Sequence, residues 1–232
     1  MDIEVCIENI ESGMIAANHG ATRVELCSAL DLGGLTPSAG MIKSCVQNCS
    51  LQVYVMIRPK AGDFVYNENQ FDIMKKDIVL AAESGADGVV FGCLTDRNEL
   101  DIEKNRALLS LAKSWNLGVT FHRAFDFVAN TMEAFNLLEK LGFDRILTSG
   151  GKSTAIEGLE QIKELAKIKS NIEIMAGSGI NAENCYFFDN TGIDAVHFTA
   201  RKPKGDSISL NMGSNYITDT KKIKGIINYF NK

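Results

Sequence analysis

The chain contains no run of four or more Lys or Arg, no apolar stretch approaching the ~20 residues that span a bilayer, and no low-complexity or proline-rich segment, with only three prolines in 232 residues. Each absence removes a class of function. With a net charge of -5 and no basic patch of the kind that neutralises a phosphate backbone, nucleic acid is not expected as a partner. Without an apolar span, no membrane partner is expected either. The acidic start Met1-Asp2-Ile3-Glu4-Val5 lacks the basic opening of a signal peptide, so a cytoplasmic location is expected. No linker divides the chain, and 45% hydrophobic composition suffices for one sizeable core, so residues 1–232 are expected to form a single domain. No G-x-G-x-x-G follows the first strand-like run, and no lysine falls in any predicted strand, which disfavours Schiff-base chemistry.

Six cysteines are present, but they are scattered. Cys6, Cys27 and Cys93 sit in or at the ends of apparent strands, which suits reduced thiols better than a disulfide framework. Cys45 and Cys49, beside Met41, Ile42 and Val46, read as the apolar face of a helix rather than a metal pair.

Short β-branched runs alternate with segments of helical period. The runs are residues 3–7, 23–27, 53–58, 88–94, 118–123, 145–148, 173–176 and 195–199. Helices are expected over 12–19, from Thr36-Pro37 onward, along the face Phe71, Met74, Ile78 and Ala81, and over 102–114. Further helices follow from Asn130, whose Glu133 completes a capping-box pattern, and over 153–167, 181–190 and 221–230. Eight strand-helix units predict an α/β fold of the (β/α)8 barrel type; an open doubly wound sheet is the alternative. One long stretch, 201–220, is expected to be an irregular loop after the eighth strand.

In either architecture the chemistry collects at strand C-termini, and those ends are unusually polar here. Strand one carries Glu4 and Cys6 on one face, and strand two repeats this with Glu25 and Cys27. Strand three ends in Arg58-Pro59, and strand five ends in His122-Arg123 with Asp126 just beyond. Each has a structural alternative, a buried ion pair that fixes register, but their convergence from several strands favours a site. His197, alone between Val196 and Phe198, is expected to be a satisfied core or rim histidine. The loops holding Ser149 and Gly150, and Gly177, Ser178 and Gly179, are candidate anion cradles, with Asn181 expected to open a helix behind the second.

The motifs Glu4-Val5-Cys6, Arg23-Val24-Glu25-Leu26-Cys27, Gly33-Gly34-Leu35-Thr36-Pro37-Ser38, Met56-Ile57-Arg58-Pro59, Val119 through Asp126 and Leu147-Thr148-Ser149-Gly150 together resemble the CutC family, named for copper homeostasis. The resemblance runs in order from residue 1 to about 200. It implies a (β/α)8 barrel, a cytoplasmic homo-oligomer (dimer or tetramer), and a role in copper handling with Cys6 and Cys27 as ligands for Cu(I). Neighbouring strands stand ~5 Å apart, so thiols at matching heights can share an ion, and thiolates select Cu(I).

The residues themselves also support a different reading. Glu25, Arg58, His122, Arg123 and Asp126 are hard oxygen and nitrogen groups that suit a small anionic ligand, a phosphorylated or carboxylated metabolite. In that enzyme His122 is the general acid/base, Asp126 or Glu25 its carboxylate, Arg58 and Arg123 the clamp, and the glycine loops the phosphate cradle. A non-catalytic protein-binding module using the 201–220 loop is a third possibility.

Overall fold

The computed structural model describes residues 1–205 and 214–230. Every apolar run pairs with the run before and after it, always in parallel. The strands are β1 (Asp2–Ile7), β2 (Arg23–Leu26), β3 (Gln52–Met56), β4 (Gly88–Phe91), β5 (Gly118–Phe121), β6 (Arg145–Thr148), β7 (Glu173–Gly177) and β8 (Ala195–Thr199). β8 then returns to β1, pairing His197 with Glu4 and Thr199 with Cys6, so the sheet closes and keeps no free edge. This is the (β/α)8 barrel, not the open sheet.

The helices lie outside the strands: α1 (Ile10–His19), α2 (Ala39–Asn48), α3 (Glu68–Glu83), α4 (Ile102–Ser114), α5 (Thr131–Leu141), α6 (Leu159–Ala166) and α7 (Thr220–Phe230). Local chemistry sets their starts. Asn9, Ser38, Asn67, Asp101 and Asn130 each accept a hydrogen bond from a first-turn amide. Thr36, expected to cap α2, instead accepts from the Arg58 amide at 2.8 Å, and Ser38 takes the cap. The helix expected over 181–190 is only a short 3-10 turn, Cys185–Phe188, because the Asn184 side chain accepts from the Asn181 amide at 2.8 Å and holds the segment in a turn. Among the described residues no α-helix stands between the seventh and eighth strands to turn its N-terminus to an anion.

Two further expectations change at the barrel mouth. β5 stops at Phe121 rather than Arg123, since the His122 ring caps a 3-10 helix, Arg123–Phe127, by accepting the Ala124 amide. The stretch 201–220 is not irregular throughout: β9 (Arg201–Pro203) and β10 (Tyr216–Thr218) form an antiparallel pair. Positions 206–213, the middle of the expected loop, lie outside the described residues. Among the described residues no helix is long and apolar enough to cross a membrane.

The lower barrel interior is polar. Arg23 donates through Nε to Glu4 and through Nη1 to Asp2, both at 2.8 Å, and Arg145 donates to Glu173 at 2.7 Å and to Thr120 at 3.1 Å. Both guanidinium groups stand near the Tyr54 ring, at 5.9 and 5.2 Å. Tyr54 fits only because Gly88 and Gly118 leave space; a Cβ at Gly88 would sit 2.7 Å from the Gly118 carbonyl oxygen and run into the tyrosine ring. Gly88→Ala is therefore expected to destabilise the fold by about 1–3 kcal/mol, read as a lower urea midpoint.

Candidate functional site

Parallel pairing of β1 with β2 sets Cys6 opposite Glu25, with Cys27 just past the end of β2 and its amide bonded to Ile7 at 2.9 Å. The thiols are thus offset along the barrel axis, not level as a simple reading of adjacent strands suggests. Their side chains still converge. The sulfurs lie 3.8 Å apart, and Glu25 Oε2 is 3.2 Å from Cys6 Sγ and 3.3 Å from Cys27 Sγ. All three residues are buried, and Glu25 Oε1 has no hydrogen-bond partner.

β8 contributes the residue that strand-by-strand reading set aside. His197 bonds Glu4 Oε1 through Nδ1 at 2.7 Å, so it is satisfied as expected, yet its Nε2 points at Glu25, 3.8 Å from Oε2. The available signal was topological: in a closed barrel the eighth strand neighbours the first, and His197 pairs with Glu4.

Protonation follows from this crowding. The hydrogen bond from Cys27, with further help from His197 and Glu25, brings the Cys6 thiol down to about 6 against the opposing effect of burial. The Cys27 thiol is pushed well up by that same bond and by burial. Burial, then the negative charge at Cys6, raises Glu25 well above the usual carboxylate range. Burial works against charge on both Glu4 and His197, but their mutual bond and the nearby charges win: Glu4 falls to about 2 and His197 rises well above the ordinary histidine value. One low-pKa thiol, a second thiol, two carboxyls and an imidazole form two overlapping groups of metal-ligating type, Cys6-Glu25-Cys27 and Glu4-Glu25-His197.

Above this cluster is a cavity of about 210 Å³ lined by Cys6, Glu25, Arg58, Phe64, His122 and His197 among others. His122 does not meet Asp126. Its Nδ1 accepts the Ala124 amide at 3.2 Å, and its Nε2 is buried without a partner. Burial and then the Arg58 charge push the imidazole down to about 3, so the ring is neutral. A histidine depressed when folded loses stability as pH falls from its ordinary 6.5 toward 3, because only the unfolded chain takes the proton. His122→Gln is expected to flatten this part of the stability-pH curve, measured by denaturant unfolding at successive pH values.

Asp126 does a different job from the one expected. Its oxygens accept from Arg123 Nε at 2.8 Å, Thr148 Oγ1 at 2.6 Å, the Ser149 amide at 2.9 Å and the Gly151 amide at 3.1 Å. The glycine loop after β6 thus encloses an anion of the chain's own. Ser149 is fully buried in this network, and the Gly150 amide bonds Thr148 Oγ1 at 2.9 Å. Arg123 lines the cavity but commits Nε to Asp126 and Nη2 to Ser149 at 2.8 Å. Of the second loop, Ser178 and Gly179 line the cavity. Gly177 instead spaces the barrel, since a Cβ there would stand 2.6 Å from Leu147 and 3.3 Å from His197.

The chain is similar to known proteins over most of its length. The CutC family model matches residues 1–202. A CutC family protein of Pasteurella multocida is 47% identical over 203 residues, covering 87% of this chain and 82% of that one. The human copper homeostasis protein cutC homolog is 40% identical over 237 residues, covering 96% and 86%. The solved structure of CutC from Streptococcus agalactiae superposes with a TM-score of 0.80 at 37% identity, covering 85% of this chain and 98% of that one. The 3-hexulose-6-phosphate synthase of Salmonella typhimurium, at TM-score 0.65 and 15% identity, shares the fold alone. With the family model matching residues 1–202 and the Pasteurella and human relatives 47% and 40% identical over most of the chain, the chain belongs to the CutC family.

Proposed function

We propose that this protein handles copper in the cytoplasm by binding Cu(I) between Cys6 and Cys27. The observation that carries the reading is the pair of free thiols converging at 3.8 Å, one of them brought down to about 6 and so largely thiolate at neutral pH. Two sulfurs, one of them largely thiolate, suit the soft Cu(I) ion. Glu25 and His197 stand beside the sulfurs, where they set the charge and orientation of the ligands. The name of the human relative, which speaks of copper homeostasis, agrees with this assignment.

An anaerobic Cu(I) titration in competition with a chromophoric chelator tests it, run on the wild-type chain and on Cys6→Ser/Cys27→Ser. One-to-one binding in the wild type, abolished in the double variant, is expected. Equal affinity in the two proteins would sink the reading.

A further inference from the structure

Arg58 is 5% exposed, yet no carboxylate stands within ion-pair distance of it among the described residues. Three of its contacts are hydrogen bonds to backbone carbonyls, Nη1 to Leu32 and Gly34, each at 3.0 Å, and Nη2 to Gly62 at 2.8 Å, and the neutral Tyr66 phenol also interacts with its side chain. Those carbonyls hold the guanidinium in place without cancelling its charge. Asp63, 65% exposed and paired with Lys60, acts on this charge only from beyond ion-pair distance, so the buried cation stays costly, and Nε, also buried, has no hydrogen-bond partner.

His122, 3% exposed, stands beside it. The guanidinium carbon lies 5.0 Å from the centre of the Phe64 ring and the imidazole 4.8 Å from it, so both groups pack on one aromatic side chain. Because Nδ1 accepts the Ala124 amide, the single proton of the neutral ring is carried on Nε2. The unpartnered atom is therefore an N–H donor, which the general-base reading of His122 does not fit. Leaving it unbonded costs about 1–3 kcal/mol.

We propose that the Arg58–His122–Phe64 end of the cavity is a receptor for a small organic monocarboxylate, the Arg58 guanidinium balancing its charge and the Nε2–H of His122 donating to one of its oxygens. The size and charge of the place select this class. At about 210 Å³ the cavity lies below the ~300 Å³ at which drug-sized pockets begin. Arg123, Arg201 and His197 also line the cavity but are each bonded to a carboxylate, so Arg58 and the neutral His122 imidazole are left to match a single negative charge, whereas a phosphate dianion calls for more donors. The loop that could have supplied them, after β6, already has its Ser149 and Gly151 amides on Asp126 and its Gly150 amide on Thr148. Leu30, Met56, Leu147 and Phe198 give the ligand an apolar wall. Both unpartnered nitrogens are closed to water, so entry involves side-chain movement at the mouth, where Phe64 is only half-buried. The assignment is independent of copper, since neither group belongs to the thiol cluster.

The test uses acetate and pyruvate as probes and inorganic phosphate as the control, with the imidazole nitrogens followed by NMR in the full chain, whose three histidines are readily told apart. Saturable binding of at least one probe that shifts the His122 Nε2–H resonance is expected, with His122→Gln and Arg58→Met each weakening it at least tenfold. Since Arg58 also ties three loop carbonyls, the wild-type shift decides if Arg58→Met fails to fold. The titration is run on the metal-free wild-type chain, which separates this test from that of copper binding. No shift at His122 with either probe, or phosphate binding there more tightly than both, overturns the proposal.

Discussion

Cys6→Ser is expected to lower Cu(I) affinity by more than the ~10–100-fold typical of changes to the groups that orient metal ligands, because it removes a ligand outright. Glu25→Gln, which leaves both sulfurs and alters only their neighbour, falls within that ~10–100-fold range. The informative control is the other thiol pair. Cys45 and Cys49 are closer together, 3.4 Å, and equally free of disulfide. No carboxylate or imidazole stands beside them to complete a group of metal-ligating type, however: among the described residues the groups of three are Cys6-Glu25-Cys27 and Glu4-Glu25-His197. Cys49 instead packs under Gly13, where a Cβ would collide with its sulfur. Cys45→Ser/Cys49→Ser is therefore expected to leave Cu(I) affinity unchanged, and a competition titration on all three variants reads the contrast. Loss of affinity from the Cys45–Cys49 variant alone would move the copper site to the α2 end.

Arg23→Met is expected to destabilise the chain by about 3–5 kcal/mol, measured by urea denaturation at neutral pH. Arg23 is 2% exposed and Glu4 not at all, and the two are joined at 2.8 Å inside the barrel. Removing the guanidinium leaves a fully buried carboxylate whose remaining support is His197 and the more distant Arg145. Asp2, the second partner of Arg23, is 47% exposed and contributes little, since water already solvates it. Combining the change with Glu4→Gln removes the stranded charge, and the double variant is expected to recover part of the loss. If Arg23→Met alone were neutral, the ion pair would be dispensable to the fold. The site above would feel the change as well, because Glu4 fixes His197 and His197 faces Glu25.

The barrel itself was legible from residue order. Period-2 runs of β-branched residues alternate with helical faces, and the caps at Asn130 and the glycines before strands mark the boundaries, all of it local chemistry. Boundaries failed where a side chain outcompeted propensity. His122 ended β5 by accepting an amide, and Asn184 kept the residues after Asn181 in a turn. Sequence likewise identified which residues are chemically unusual: Cys6, Glu25, Cys27, Arg58 and His122 all reach one mouth.

What these residues touch was decided only by the tertiary structure. Barrel closure brings His197 to Glu4, 193 positions away, and the register of β1 on β2 offsets two thiols that still meet. Asp126 turned to the glycine loop rather than to His122, and Arg58 to three carbonyls rather than to a carboxylate. Residue types and order by themselves determined the strand-helix alternation, the family motifs and the location of chemistry at strand ends, because those depend on neighbours along the chain. Partners, protonation and the division of the mouth into a thiol cluster and an unpaired cation depend on neighbours across space, where each polar group bonds whatever closure and packing bring within about 3 Å.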